Sequence, residues 1–257
     1  MRNKNGINLK PVFDDFHHPR AGVQNTNYAS SQYLLFEKFK IEAKRGGVEY
    51  MAFSDFKNIS EVQKKYNIKY KEAIFIETQE IQPSENFVKD IEFYKENIDV
   101  FSSEASRSEV IISPILREVY KKYYKKYSFW IQKSIFYDDI LCGTPDYIFS
   151  EKSELGKTVL EKPIVIIVEA KRNDFEQGWG QCLAELVASQ KINDDAECPV
   201  HGIVTDGNLW QFGKLEKDCF FKNPESITVD KLGLLYGVLN YVVQTAGEAG
   251  RQRKKQN

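Results

Sequence analysis

Glu169, Ala170 and Lys171 close a run of branched apolar residues, Ile164-Val165-Ile166-Ile167-Val168, which Pro163 opens. A short apolar run rich in β-branched residues and bounded by turn formers reads as a buried strand. Successive side chains on a strand point to opposite faces, so Glu169 and Lys171 share one. A second carboxylate, Asp146, follows Pro145 in another expected strand, Gly143–Ser150. A solvated ion pair at a strand end is the bland reading of Glu-x-Lys. The apolar strand before it and the acid on a neighbouring strand weigh the other way, because folding alone has no use for such a trio at one sheet edge. Two carboxylates and a lysine there are the minimal parts of a hydrolytic site that uses Mg²⁺.

Phosphodiester hydrolysis requires an activated water and a way to neutralise charge building on the phosphate. A hard cation held by carboxylate oxygens supplies both, and Mg²⁺ needs only one or two protein carboxylates. Asp146 and Glu169 are the expected ligands, with the carbonyl of Ala170 as a third, and Mn²⁺ can substitute. Lys171 is expected to orient or help deprotonate the attacking water and to offset developing negative charge.

The elements that must position these groups follow from periodicity and punctuation. Residues 104–127 read as a helix that Pro114 kinks or restarts, with Ser113 as the new cap. Ser128–Phe136, 143–150 and 163–171 read as three strands. Gly180–Ile192 reads as a helix with Leu183, Leu186 and Val187 on one face; Gly178 and Gly180 around Trp179 suggest a tight helix entry. Val200–Thr205 and Leu209–Leu215 are expected strands around Asp206-Gly207-Asn208, a hairpin signal. A last helix is expected from about 229 to 245. Upstream, residues 1–30 are an expected irregular lead-in and 31–45 a helix ending at Gly46-Gly47. Ser60–Gln63 fits a capping box opening a short helix through Tyr66. Ala73–Thr78 reads as a strand and 85–97 as a helix behind Pro83-Ser84. This order predicts an α/β fold with a mixed central sheet flanked by helices. Residues 1–100 form an N-terminal extension, an accessory region or an elaboration of the core. Residues 101–246 form the domain that carries the trio, and 247–257 a basic, disordered tail.

Pro145-Asp146 followed by Glu169-Ala170-Lys171 resembles the signature of the PD-(D/E)XK nuclease superfamily. The element order resembles its restriction-endonuclease-like α-β-β-β-α-β core, over about residues 104–217. The resemblance implies a Mg²⁺-dependent nuclease acting on DNA in a restriction, mobile-element or repair setting, with homodimerisation an option that many family members use. It also implies two more site residues. Gln181 matches a glutamine that many members place near substrate or attacking water; where several have Gln-x-x-x-Tyr, this chain has Gln181-x-x-x-Glu185. Members often add an acid from the first core helix, and here Glu109 and Glu118 compete. Glu109 is preferred because it shares a face with Ile112 and Leu116, although Ser106-Arg107-Ser108-Glu109 is also a capping box. The hairpin Ile203–Phe212 resembles the segment after the catalytic helix in the nuclease domain of type I restriction motor subunits, whose helicase motifs this chain lacks. A noncatalytic nucleic-acid-binding or assembly protein on the same fold is the alternative, and RNA or a nucleotide is a further substrate option.

The chain has 257 residues, 42% hydrophobic, 28% charged and 13% aromatic, a composition that folds. Its net charge of −1 gives no global nucleic-acid signal, though a local basic face suffices. Lys121, Lys122, Lys125 and Lys126 alternate with Tyr120, Tyr123, Tyr124 and Tyr127, either as a packed helix end or as a phosphate-contacting stretch. Four scattered cysteines and three histidines, two of them His17 and His18, argue against a zinc or histidine-metal site. With no signal-peptide or membrane-spanning pattern, a cytoplasmic protein is expected.

Overall fold

The computed structural model describes residues 52–172 and 174–246. The expected lead-in, the helix at 31–45, His17, His18 and the basic tail lie outside them. A 3₁₀ turn, Phe53–Asp55, precedes α1 (Ile59–Tyr66), β1 (Lys69–Glu72) and α2 (Glu85–Asn97). Then come α3 (Glu104–Arg107), a π-helical turn (Ser108–Ile112) and α4 (Ser113–Tyr123). Strands β2 (Tyr127–Ile131), β3 (Ile135–Phe136), β4 (Cys142–Gly143), β5 (Tyr147–Glu151) and β6 (Ile164–Ala170) lead to α5 (Phe175–Asn193). The chain continues through β7 (Val200–Thr205), β8 (Leu209–Glu216), β9 (Cys219–Lys222), β10 (Ile227–Thr228) and α6 (Leu232–Thr245).

The main sheet runs β1-β9-β8-β7-β6-β5-β2, with β10 added to β8; β3 and β4 form a separate ribbon. It is mixed: β6 pairs parallel with β7 and β1 with β9, and the remaining ladders are antiparallel. The protein is therefore α/β with helices on both faces of a mixed sheet. One face carries α4, α6 and the π-turn, with Ile111, Ile115, Leu116, Leu235 and Leu239 against Tyr127, Phe149, Val168 and Phe212. The other carries α5, with Leu183, Leu186 and Val187 against Ile148, Ile167 and Val204. All seven residues of β6 are buried, as a strand covered on both faces must be.

Helix α5 is itself sandwiched. Phe53, Phe56 and Val62 cover its outer side, so it is buried all round from Gly178 to Ser189. Gly180 allows this: a Cβ there would meet the backbone nitrogen of Asn58 at 2.5 Å and the carbonyl of Phe56 at 2.9 Å. Residues 52–100 thus belong to the same core and sheet as residues 101–246. Ile76, Ile91 and Val100 pack among the α6-side residues, and β1 extends the sheet.

Several local expectations shift. Helix α1 is capped by Asn58, whose side chain accepts from Glu61 N at 3.1 Å, and not by Ser60. The strand lies at Lys69–Glu72 rather than Ala73–Thr78, because β9 ends opposite it; one further bond, Ala73 N to Lys222 O, closes the ladder. Pro114 lies in the first turn of α4, which starts at Ser113 after the π-turn. Its missing N–H is absorbed by the π-turn, where Ser113 N bonds back to Ser108 O, and Ser113 makes no side-chain cap. The strand expected to reach Phe136 stops at Ile131, where Gln132 takes a positive φ of 47°, and the chain turns into the β3–β4 ribbon. Helix α5 begins at Phe175, capped by Asp174, five residues before Gly180, so Gly178 and Gly180 lie within the helix and form no entry. Strands β9 and β10 were not foreseen. Among the described residues no helix is long and apolar enough to cross a membrane.

Candidate active site

Asp146 immediately precedes β5, and Glu169 is the penultimate residue of β6. Both share strand parity with Ile148 and Ile167, which face α5. β5 pairs with β6 only as far as Tyr147 opposite Val168, so the last turn of β6 is open on that side. Asp146 fills the gap: the N–H of Ala170 donates to its Oδ2 at 2.8 Å. The N–H and carbonyl of a strand residue point the same way, so the carbonyl of Ala170 also turns toward Asp146. Lys171 Nζ pairs with Glu169 Oε1 at 3.0 Å, with Glu169 only 1% and Lys171 24% exposed. On its other edge β6 is held by Lys171 N bonding to Thr205 O at 2.9 Å. Gly178 brings α5 down on this pair: a Cβ there would lie 2.8 Å from Val204 Cγ1 and 3.2 Å from Lys171 Cγ.

From α5, Gln181 and Glu185 reach the same place. Gln181 Nε2 donates to Glu185 Oε1 at 3.1 Å, and both side chains are buried. Because Gln181 lies well inside the helix, it cannot serve as a first-turn cap. Glu185, which the sequence left without a role, is wholly buried. Burial first, then the charges of Glu169 and Asp146, push its carboxyl well above the usual range. Glu169 is likewise raised by burial and by Asp146, against the opposing pull of Lys171. Asp146 is raised by burial, which outweighs the Ala170 N–H and Lys171. Burial would lower Lys171, but the charges of Glu169, Asp146 and Glu104 overcome it and raise the lysine. The Glu169–Lys171 pair therefore shifts upward at both ends: one ammonium is shared among too many acids to hold Glu169 ionised, while every acid favours the ammonium.

The first core helix contributes differently from expectation. Glu118 faces away, its carboxylate taken by Ser84 Oγ at 2.8 Å and Lys121 Nζ at 2.6 Å. Glu109 is exposed, and its charge is felt at the Tyr147 hydroxyl rather than at the trio. Glu104, in the first turn of α3, is the helix acid whose charge reaches Asp146, Glu169 and Lys171, and its Oε2 accepts from Arg172 N at 3.4 Å. A residue on a helix N-terminus carries no core-face signature, so the sequence does not single Glu104 out.

Three buried acceptor oxygens meet no donor among the described residues: Glu169 Oε2, Glu185 Oε2 and Gln181 Oε1. Hard oxygens crowded together and underprovided with donors suit a hard cation, which would displace the protons that burial holds on these carboxyls. Among the described residues no three Asp, Glu, His or Cys side chains are clustered as a complete metal cage. Mg²⁺ asks less: one or two carboxylates, with a carbonyl and waters completing the shell.

The lysine–tyrosine stretch is largely spent on packing. Tyr123 OH bonds to Asn240 O at 3.1 Å, Lys122 lies over the Tyr236 ring at 4.6 Å, and Tyr120 stacks among Phe129 and Phe149. Cys142, Cys182, Cys198 and Cys219 are all buried. No protein-family model matches the chain, and no curated protein matches it significantly.

Proposed function

We propose that this protein is a Mg²⁺-dependent nuclease that hydrolyses phosphodiester bonds in DNA, on a restriction-endonuclease-like core. The observation that carries the reading is the crowding of buried Asp146, Glu169 and Glu185 around a single lysine, with the exposed Glu104 adding its charge and buried carboxylate oxygens lacking donors among the described residues. Such a cluster is unfavourable for folding alone, since buried like charges raise one another and go unpaired. The topology supports it: helix α4, the antiparallel run β2-β5-β6, the crossover α5 and the parallel strand β7 follow the α-β-β-β-α-β order that the PD-(D/E)XK resemblance implies.

Asp146 and Glu169, with the Ala170 carbonyl, would hold Mg²⁺, which when bound supplies Lewis-acid polarisation of the phosphate and lowers the pKa of a water. Lys171 stays an ammonium at neutral pH because the surrounding acids raise it, so it donates and offsets charge and does not act as the base. Glu169 Oε1 holds that ammonium in place. Gln181, anchored by Glu185, keeps a buried amide oxygen that has no partner among the described residues and can accept from a water.

Incubating the full chain with plasmid and linear DNA, with Mg²⁺, with Mn²⁺ and with EDTA, tests the reading. Metal-dependent cleavage, lost in Asp146→Ala, is expected; intact DNA in every metal, or full activity in that variant, sinks it. Within the same assay, Glu104→Gln is expected to reduce the rate by about tenfold, as loss of a charge that tunes the trio from a distance. Glu109→Gln should cost clearly less, and the reverse ranking would return the helix-acid role to Glu109.

A further inference from the structure

On the α5 face, the ladder carries Glu169 across to Val204 and Val204 to Gln211, and Gly213 on β8 across to Lys222 on β9. Strands β6, β7 and β9 all run the same way, and Lys222, level with Ile167 through Gly213 and Gly202, ends β9 four residues short of Lys171. Three strand spacings together with this four-residue offset put the two backbones about 19 Å apart. The Cys182 thiol, raised by burial and by Glu185 and Glu169 and opposed by Lys222, lies on this same face between the two groups.

Lys222 is held there by an unusual set of contacts. Its Nζ lies 4.6 Å from the centre of the Trp179 ring and donates to Gln211 Oε1 at 2.9 Å. The same oxygen accepts from Trp179 Nε1 at 2.7 Å, so its two lone pairs are used and the Gln211 amide nitrogen is turned the other way. Trp179 is buried against Phe220, with ring centres 5.4 Å apart, and is fixed in place. No carboxylate of the described residues forms an ion pair with Lys222. Its register partner Glu72 accepts from Tyr70 OH at 3.1 Å and acts on Lys222 only through its charge. Burial dominates and lowers the lysine to about 8, which still leaves it mainly an ammonium at neutral pH. An ammonium with donors to spare, half buried and hydrogen-bonded to no carboxylate among the described residues, can take an oxyanion.

We propose that Lys222 and Gln211, braced by Trp179, form a second anion subsite that takes a backbone phosphate of the nucleic-acid strand cut at the Asp146–Glu169–Lys171 centre. The assignment rests on the nuclease reading and adds to it the grip on the substrate. That separation spans several nucleotides of one strand, so the contact lies on the flank of the scissile bond. Trp179 is too buried to stack on a base. The subsite therefore reads phosphate and not sequence.

Steady-state cleavage of a DNA duplex by the full chain at several salt concentrations tests it. Lys222→Met, which keeps the stem over Trp179, is expected to raise KM about tenfold with kcat changing much less. It should also reduce the salt slope of log kcat/KM by about one, as loss of a single phosphate contact does. Lys222→Arg should recover most of both, and Gln211→Leu should raise KM by a smaller factor. A purely structural lysine would not move the salt slope, so a Lys222→Met enzyme with unchanged slope overturns the subsite while leaving the nuclease reading standing. Should that variant melt below the assay temperature, Lys222→Gln gives the same readout. A wild-type chain that cuts no DNA with either metal overturns both.

Discussion

Lys171→Met should slow single-turnover DNA cleavage by about a thousandfold while the protein stays folded, a loss of the size seen when one preorganised donor to a developing oxyanion is removed. The expectation follows from the charge state of this lysine. Glu169, Asp146 and Glu104 together raise it despite its burial, so the group that faces the substrate is a full ammonium. Its position is fixed from three sides: Glu169 Oε1 at 3.0 Å, the β7 backbone through Thr205, and the close approach of Gly178. Methionine keeps the stem and loses the charge, leaving the acids with no counter-ion of their own. Lys171→Arg separates two roles. A cation that offsets charge is partly replaced by guanidinium, so Arg should recover tenfold or more over Met; a proton acceptor is not, because guanidinium stays protonated. Cleavage by Lys171→Met within about tenfold of wild type would remove the lysine from the chemistry.

What was legible in the sequence was the part written in local pattern. The apolar run 164–168 is buried on both faces as β6, and the two-residue spacing of Glu169 and Lys171 put them on one face, where they pair. The Asp206-Gly207-Asn208 signal marked a hairpin, with Asp206 Oδ1 accepting from Asn208 N and Leu209 N. What was not legible depends on distant partners. Glycine reads as a helix breaker, so α5 was started at Gly180; the glycines are there because the Phe56–Asn58 backbone and Lys171 press on that helix. Moving the start to Phe175 changes Gln181 from an end residue into a buried group that anchors Glu185. Glu185 has no role legible in the sequence, because nothing local announces that residues 53–62 cover α5. The π-turn adds a residue ahead of Pro114, so the face geometry of an ideal helix does not carry from Leu116 back to Glu109. β1 pairs with β9 from 150 residues away, which no periodicity reveals.

Metal-free protein should lose thermal stability as pH rises from 6.5 to about 8, and Mg²⁺ should restore it. Asp146, Glu169 and Glu185 all have folded values above their ordinary 3.8 and 4.5. The folded state therefore keeps protons that the unfolded chain has released, and its stability falls as pH climbs from those ordinary values through the raised ones. His201 works in the opposite sense: lowered by burial to about 4, it adds stability as pH rises from about 4 to 6.5 and nothing beyond. Lys222, lowered to about 8, changes stability only between there and 10.5, and Lys171, raised, only above 10.5. Between 6.5 and 8 the buried acids are thus the groups that decide the slope. A loss of about 1–2 kcal/mol corresponds to a fall of about 3–6 °C in Tm for a chain of this size. Mg²⁺ at about a hundred times its Kd returns ~2.7 kcal/mol, and more of it at pH 8 than at 6.5, because the cation and the protons compete for the same oxygens. Glu169→Gln should flatten the pH slope and weaken the Mg²⁺ effect together. Differential scanning calorimetry at the two pH values, with and without Mg²⁺, reads all of this. A melting point indifferent to both would mean that the cluster is neutralised from within the chain, and a carboxylate cluster so neutralised has no call for a metal.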